Sequence, residues 1–155
     1  MSLYVMAGWH LVVLGTPGRV VFDVLYHSDL WQQIFAIDNS FILWGLALGF
    51  ALWRRIPWLI ALTGAALLHL ALDFPLHNHD ARMHFWPLTD WKFISPISYW
   101  QPSRGGRTVE MVEMTLVAVL TVWLLIRYKS WQWRAVFAAI GLMQIAPMVM
   151  WRMIL

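Results

Sequence analysis

The chain has 155 residues, of which 61% are hydrophobic and 12% charged, with a formal net charge of +3 and no cysteine. Soluble domains carry roughly 25% charged residues, so this composition excludes an ordinary water-soluble fold. The lack of cysteine excludes disulfides and thiolate metal sites. The basic residues form no stripe, which disfavours nucleic-acid binding, and no segment alternates apolar and polar residues as a barrel strand does.

The apolar runs predict an all-α fold, an integral membrane bundle of four to five short helices with a long aromatic and His-rich loop on one face. We expect a single transmembrane helical domain. Its predicted spans are residues 3–15, 41–53, 57–72, 109–126 and 135–155, and its long loop is residues 77–108. Several of these spans are shorter than the roughly 20 residues that cross a bilayer untilted, which suits a bundle that thins the membrane locally.

The first apolar run, residues 3–15, resembles a signal peptide in length. It has no basic region before it, and residues 15–18 make a poor cleavage site, so we expect a retained helix or half-helix. The next segment, residues 20–37, mixes acidic residues and a histidine with apolar ones. That mixture predicts an amphipathic helix at the membrane interface or a polar-faced helix in the bundle.

Two clusters of basic residues set the predicted topology. Arg54 and Arg55 form the first, and the second lies within residues 127–134. The positive-inside rule makes both turns cytoplasmic, so residues 15–40 and the loop at 77–108 share the opposite face. We therefore expect a multi-pass protein of the bacterial inner membrane. Its partners would be the bilayer and other proteins of a membrane complex, and its long loop would be periplasmic.

Ionisable residues concentrate on that outer face. The densest cluster comprises His69, Asp73, His77, His79, Asp80 and His84. His69 and Asp73 are four residues apart, so a helix places both on one side, and Pro75 then breaks the helix so that the chain can fold back. Imidazole and carboxylate ligands suit a divalent metal, with Zn²⁺ or Mn²⁺ the expected ions. The alternative is that these histidines simply form hydrogen bonds or are solvated.

Two further pairs of ionisable residues belong to the same predicted face. Asp23 and His27, four residues apart, are candidate metal ligands. Glu110 and Glu113 begin the helix at residue 109 and, with Asp80, are candidate general bases for a bound water. Carboxylates at a helix N-terminus are also stabilised by the helix dipole, which is a purely structural explanation for the two glutamates.

The segment at residues 85–102 is too rich in proline for a helix and too aromatic for a disordered linker. We expect it to fold as a cap on the outer end of the bundle. The cap would be either an interfacial anchor, with aromatic rings at headgroup depth, or a lid that keeps a site dry.

The His-x-x-x-Asp motif at 69–73, the His- and Asp-rich turn after it and the aromatic segment at 85–100 resemble the bacterial membrane-bound metal-dependent hydrolase-like family of the YdjM/YbcI type. Within that family they are most similar to the branch often labelled cobalamin-biosynthesis-related. The resemblance implies an inner-membrane protein with a metal site at His69, Asp73, His77, His79, Asp80 and His84. Family members begin with a further helix that carries a histidine, and we expect this chain to lack that segment.

Two functions follow as expectations. The first is a metal-dependent hydrolase that acts at the outer membrane face on a phosphoester or lipid-like substrate. The second is a non-catalytic accessory subunit of a larger membrane protein complex, in contact with pigment or lipid through its Trp- and Leu-rich flanks.

Overall fold

A computed structural model describes residues 2–99 and 101–154, and all regular secondary structure in these residues is helical. The described helices are α1 (Ser2–Gly8), α2 (Asp29–Asp38), α3 (Phe41–Trp53), α4 (Pro57–Asp73), α5 (Gly106–Arg127) and α6 (Trp131–Ile154). Shorter π-helical segments cover Trp9–Val13 and Val20–Leu25, and 3₁₀ turns cover Phe74–Leu76 and Pro102–Arg104. The predicted all-α class is confirmed.

Three segments of the described chain are long and apolar enough to cross a membrane. They are Asp29–Trp53, Pro57–Leu76 and Gly106–Arg127. The first joins α2 and α3, so it begins well before the predicted span at residues 41–53. The prediction of transmembrane helices is confirmed at this level, whereas the individual spans proposed for residues 3–15 and 135–155 stay predictions.

The chain divides into two compact units, Met1–Ser98 and Tyr99–Leu155. In the first unit, α3 and α4 pack side by side as a helical hairpin. Arg55 has a φ of 52° in the tight turn between these helices, and Pro57 begins α4, where its missing N–H costs no hydrogen bond.

The segment predicted as one helix over residues 20–37 is divided in two. Its first part is the π-helical segment Val20–Leu25, and its second is α2, which starts at Asp29. The core of this region consists of Ala7, Val21, Trp31 and Phe35. These apolar residues pack α1 and the π-helical segment against α2.

The second unit is an α5–α6 hairpin. Gly106 begins α5 where no side chain fits, because an added Cβ would lie 2.9 Å from the carbonyl oxygens of both Tyr99 and Gln101. Farther along, α6 approaches α5 closely at Gly141, where an added Cβ would lie 2.7 Å from Oγ1 of Thr121. Small residues at such contacts let two helix backbones approach closely.

Candidate functional site

The site lies at the end of α4, where Pro75 stops the α-helix. Asp73 is the last residue of the helix, and the 3₁₀ turn Phe74–Leu76 then leads into extended backbone at His77. Proline lacks the N–H that would continue the helical hydrogen bonds, so a break at this point is expected. The break turns the chain back and brings His77 against Asp73.

His77 sits between two carboxylates. Its Nε2 lies 2.7 Å from Oδ2 of Asp73, and its Nδ1 lies 2.6 Å from Oδ2 of Asp80. The side chain of His77 is 4% exposed, that of Asp73 17% and that of Asp80 5%. An imidazole that hydrogen-bonds to a carboxylate through each nitrogen donates at both, which is the protonated form.

The electrostatics agree with a protonated ring. Burial by itself would lower the pKa of His77, but its hydrogen bonds to Asp73 and Asp80 raise that pKa to about 9. Burial would raise the pKa of Asp80, yet the hydrogen bond and positive charge of His77 lower it below its usual value. His77 is therefore a cation at neutral pH, held between two anions.

A second cation, Arg82, belongs to the same cluster. Its guanidinium carbon lies 4.5 Å from the ring centre of Phe35 and 5.2 Å from that of Tyr26, which are cation–π distances. Its charge also acts on Asp73 and Asp80. The two negative and two positive charges of the cluster balance.

His84 is buried like His77 but differs from it in its neighbours and its charge. It is 2% exposed, its ring lies 5.1 Å from that of Phe74 and 5.5 Å from that of Phe41, and its Nδ1 has no hydrogen-bond partner. Burial and the positive charge of His77 lower the pKa of His84 to about 4. His84 is consequently neutral at pH 7. Oδ1 of Asp80 is a second buried atom without a partner.

The loop that follows the 3₁₀ turn folds back against the end of α4 as a cap, which we define as residues 77–98. Ser95 anchors it, because its N–H donates to the carbonyl of His77 at 2.9 Å and its hydroxyl donates to the carbonyl of Pro75 at 2.5 Å. Asn78 donates in turn to the carbonyl of Ser95.

The cap is also attached to the start of α3. The hydroxyl of Ser40 accepts the N–H of Leu43 as a helix N-cap and donates to the carbonyl of Trp86. The N–H of Phe41, one of the first amides of α3, donates to the carbonyl of His84 at 2.8 Å. The ends of α3 and α4 thus both hold the cap.

The structure brings together four of the predicted site residues, namely Asp73, His77, Asp80 and His84. His69 lies exposed on α4, one turn before Asp73. The other predicted residues are distributed as follows: His79 is exposed in the cap, Asp23 and His27 are exposed before α2, and Glu110 and Glu113 lie on α5 in the second unit. Within the first unit, the cluster spans residues 73–84.

The arrangement does not fit the metal that the family resemblance implies. Among the described residues, no three His, Asp or Glu side chains are gathered so that they could hold an ion. His77 in particular uses both ring nitrogens as donors to carboxylates, so neither offers a lone pair. The Zn²⁺ or Mn²⁺ site stays a prediction.

Arg82, Ser95 and Asn78 are site residues that the sequence interpretation missed. Arg82 is the one Arg or Lys between His77 and His84. An arginine so close in sequence to Asp73 and Asp80 could have been predicted to pair with their carboxylates. Ser95 and Asn78 act through backbone carbonyls, which no residue pattern identifies in advance.

Comparison of the chain with models of known protein families, with curated proteins and with solved structures found no match. The resemblance to the hydrolase-like family accordingly stays a prediction.

Proposed function

We propose that this protein is a non-catalytic subunit of a membrane protein complex, in which the Asp73–His77–Asp80 cluster fixes the cap to the end of α4. The observation that carries the proposal is that the charged groups of the cluster bind one another. Both nitrogens of His77 are hydrogen-bonded to carboxylates, and Arg82 supplies the remaining positive charge. The groups that would perform chemistry instead hold the fold together.

Proton transfer at neutral pH has little support in this cluster. A general acid or base works best when its pKa lies near the operating pH. The pKa of His77 is raised to about 9 and that of His84 is lowered to about 4. Each ring therefore keeps one protonation state near pH 7.

Charge balance also weakens the case for an ionic ligand. A site that attracts a divalent cation or a phosphate carries a net charge of the opposite sign. Here the carboxylates of Asp73 and Asp80 are balanced by His77 and Arg82. A cation that bound to His77 would first have to displace a proton from it.

A partner within the membrane is supported by α5. This candidate span leaves large apolar side chains exposed along one face, at Val112, Leu116, Val119 and Trp123. In a bilayer such a face contacts lipid or another helix, and helix association depends on close packing. We propose that part of this face contacts another membrane protein.

The proposal also covers which membrane holds the protein and on which side the cap lies. We place the protein in the bacterial inner membrane with the cap in the periplasm. The support is the pair of arginines in the turn between α3 and α4, at the opposite end of α4 from the cap. A membrane-impermeant thiol reagent should therefore label Asp90→Cys in intact spheroplasts.

Single-cysteine crosslinking tests the partner directly, because the chain has no cysteine of its own. A photoactivatable label at Leu116, Val119 or Trp123, in native membranes, should yield one crosslinked protein of constant mass. The yield should follow the helical period of α5. The same label at Leu62, an exposed position on α4, is the matched control. Extraction in mild detergent as a lone monomer, with crosslinks to lipid alone, would rule out a complex.

A hydrolase is the second candidate, and one observation favours it. Oδ1 of Asp80 and Nδ1 of His84 are buried without hydrogen-bond partners. Such atoms are rare in folded proteins and often mark a bound water, an ion or a reacting group. A hydrolase acting on a phosphoester or lipid-like substrate would use Asp80 to take a proton from water.

The two candidates are separated by activity measurements in lipid nanodiscs. Hydrolysis of a phosphoester or phospholipid that disappears in Asp80→Asn, with folding retained, supports the hydrolase. Ser98→Ala is the control, because its hydroxyl is also buried without a partner but is no acid or base. Wild-type protein with no turnover, in the presence and absence of added Zn²⁺ or Mn²⁺, argues for the non-catalytic role.

A further inference from the structure

The cap exposes four large apolar side chains that lie outside the candidate membrane spans. Leu88 is 76% exposed, Trp91 52%, Ile94 68% and Ile97 44%. Large apolar side chains gathered within one short exposed segment usually mark a surface that contacts another molecule or a membrane. We call these four residues the cap patch.

The cap patch is displayed by a fixed backbone. Ser95, between Ile94 and Ile97, is 2% exposed and is held by hydrogen bonds to the carbonyls of His77 and Pro75. The N–H of Ile97 donates to the hydroxyl of Ser95 at 3.0 Å. Because Ser95 faces inward, its neighbour Ile94 cannot turn inward without breaking these bonds.

The same contacts give the depth of the cap patch along α4. Pro75, which accepts the Ser95 hydroxyl, belongs to the last turn of the candidate span Pro57–Leu76. The ring of Phe93 stacks on that of Phe74, with 4.9 Å between centres and 17° between planes. Residues 93–95 therefore lie level with the end of the span. The headgroup layer begins at this level and is roughly 5 to 7 Å thick on each side of a bilayer.

The chemistry of the segment also suits lipid. Between residues 88 and 97 the charged side chains are Asp90 and Lys92, so the segment has no net charge. Tryptophan is enriched at the headgroup level, where its ring is partly solvated. A neutral patch with one tryptophan and three aliphatic side chains needs no oppositely charged partner protein.

We propose that the cap patch inserts into the headgroup layer of the lipid bilayer, so that the cap is anchored by lipid on its outer side and by the Asp73–His77–Asp80 cluster on its inner side. This inference is independent of whether the protein is a subunit or a hydrolase. It assigns a lipid-binding surface to a loop that connects membrane helices.

The test is the depth of single spin labels in phosphatidylcholine vesicles that contain the purified full-length protein. Labels are placed on Leu88→Cys and Ile94→Cys in the patch, on Asp90→Cys as the matched exposed control in the same loop, and on Leu62→Cys within α4 as the membrane reference. Collision with oxygen reports lipid, and collision with a water-soluble nickel complex reports water. Unchanged circular dichroism shows that each variant is folded.

We expect the labels at Leu88 and Ile94 to shift toward oxygen accessibility, between the values at Asp90 and Leu62. Nickel accessibility at Ile94 equal to that at Asp90 would overturn the proposal, because the patch would then lie in water. A second result would also overturn it. If the labels at Leu88 and Ile94 are protected from both oxygen and the nickel complex in native membranes but not in pure lipid, a protein partner covers the patch.

Discussion

The cap of the first unit is held by hydrogen bonds between polar groups. In the α5–α6 hairpin of the second unit, the helices instead pack closely at a glycine, which has no side chain. In the cap, Ser95 bonds to backbone carbonyls and His77 bonds to two carboxylates. In the hairpin, the closest approach is at Gly141, which leaves no space for a Cβ beside Thr121. The cap is rich in His, Asp and other polar residues, whereas α5 and α6 are mainly apolar. The difference shows that the polar loop is held by hydrogen bonds and ion pairs, and the apolar hairpin by close packing.

Removal of His77 should have the largest effect on the cap. In His77→Ala, Asp73 and Asp80 would face each other without the cation between them. Loss of one partner of a buried ion pair typically costs about 3 to 5 kcal/mol. We expect the cap to open and trypsin to cleave rapidly after Arg82 and Lys92.

His77→Gln serves as the control for that experiment. Its amide can still donate to one carboxylate, so the loss should be smaller and cleavage slower than in His77→Ala. Equal protease resistance of His77→Ala and the wild type would show that the cluster does not hold the cap.

The pH dependence of cap stability should show a maximum near pH 6.5. The pKa of His77 is raised from 6.5 to about 9 on folding, so its contribution is complete below pH 6.5 and is lost as the pH rises through 9. The pKa of His84 is lowered from 6.5 to about 4, so stability falls as the pH drops from 6.5 toward 4. Linkage gives a change of roughly 3 kcal/mol on each side as an upper bound.

Trypsin cleavage of the cap, normalised to cleavage of a denatured substrate at each pH, measures this profile. His77→Gln should remove the alkaline decline, and His84→Gln should reduce the acidic one. The Gly141–Thr121 contact contains no titrating group, so hairpin stability should not share the maximum. A cap profile that is flat from pH 6.5 to 9 would contradict a protonated His77.

A pair of buried serines tests whether individual hydrogen bonds matter in the cap. Ser95→Ala removes the donor to Pro75 and the acceptor for Ile97, at an expected cost of about 1 to 3 kcal/mol. Ser98→Ala should be neutral or stabilising, because its buried hydroxyl has no partner. Equal protease sensitivity of the two variants would show that the anchoring does not depend on the Ser95 hydroxyl.

The smallest expected effect is in the hairpin. Gly141→Ala places a Cβ 2.7 Å from Oγ1 of Thr121, and such overpacking should cost about 1 kcal/mol. Thr121→Ala in the same chain should restore stability by removing the opposing atoms. Gly45→Ala is the control, because no atom lies within 4 Å of its added Cβ. Unfolding by dodecyl sulfate in mixed micelles, followed by circular dichroism, measures all three.

The helices of this protein were largely predictable from its sequence. Runs of apolar residues bounded by Arg54, Pro57 or Arg127 gave α3, α4 and α5 to within a few residues. The start of the first candidate span was not predicted, because α2 contains Asp29 and polar side chains that interrupt the apolar pattern. Asn39 and Ser40 form a short turn between α2 and α3. The apolar run that gave α3 begins only after this turn, so it did not include α2.

The site was predicted in part. The α-helix ends at Asp73, next to the break that Pro75 predicted, and Asp73 meets His77 at this end. That this cluster is a functional site stays a prediction. The pattern could not indicate that His77, rather than His69, would bond to Asp73. That choice depends on the backbone direction after Pro75 and on the Ser95 hydrogen bonds that hold it.

The sequence by itself determined that the chain is helical and suited to a membrane, because each apolar residue favours burial in lipid wherever it lies along a helix. It also located the ionisable residues near one helix end. Only the tertiary structure decided what those residues do, because protonation and hydrogen bonding depend on distances of a few ångströms, which the backbone path after Pro75 sets. His77 became a cation between two carboxylates and His84 a neutral buried ring, although the two histidines are only seven residues apart.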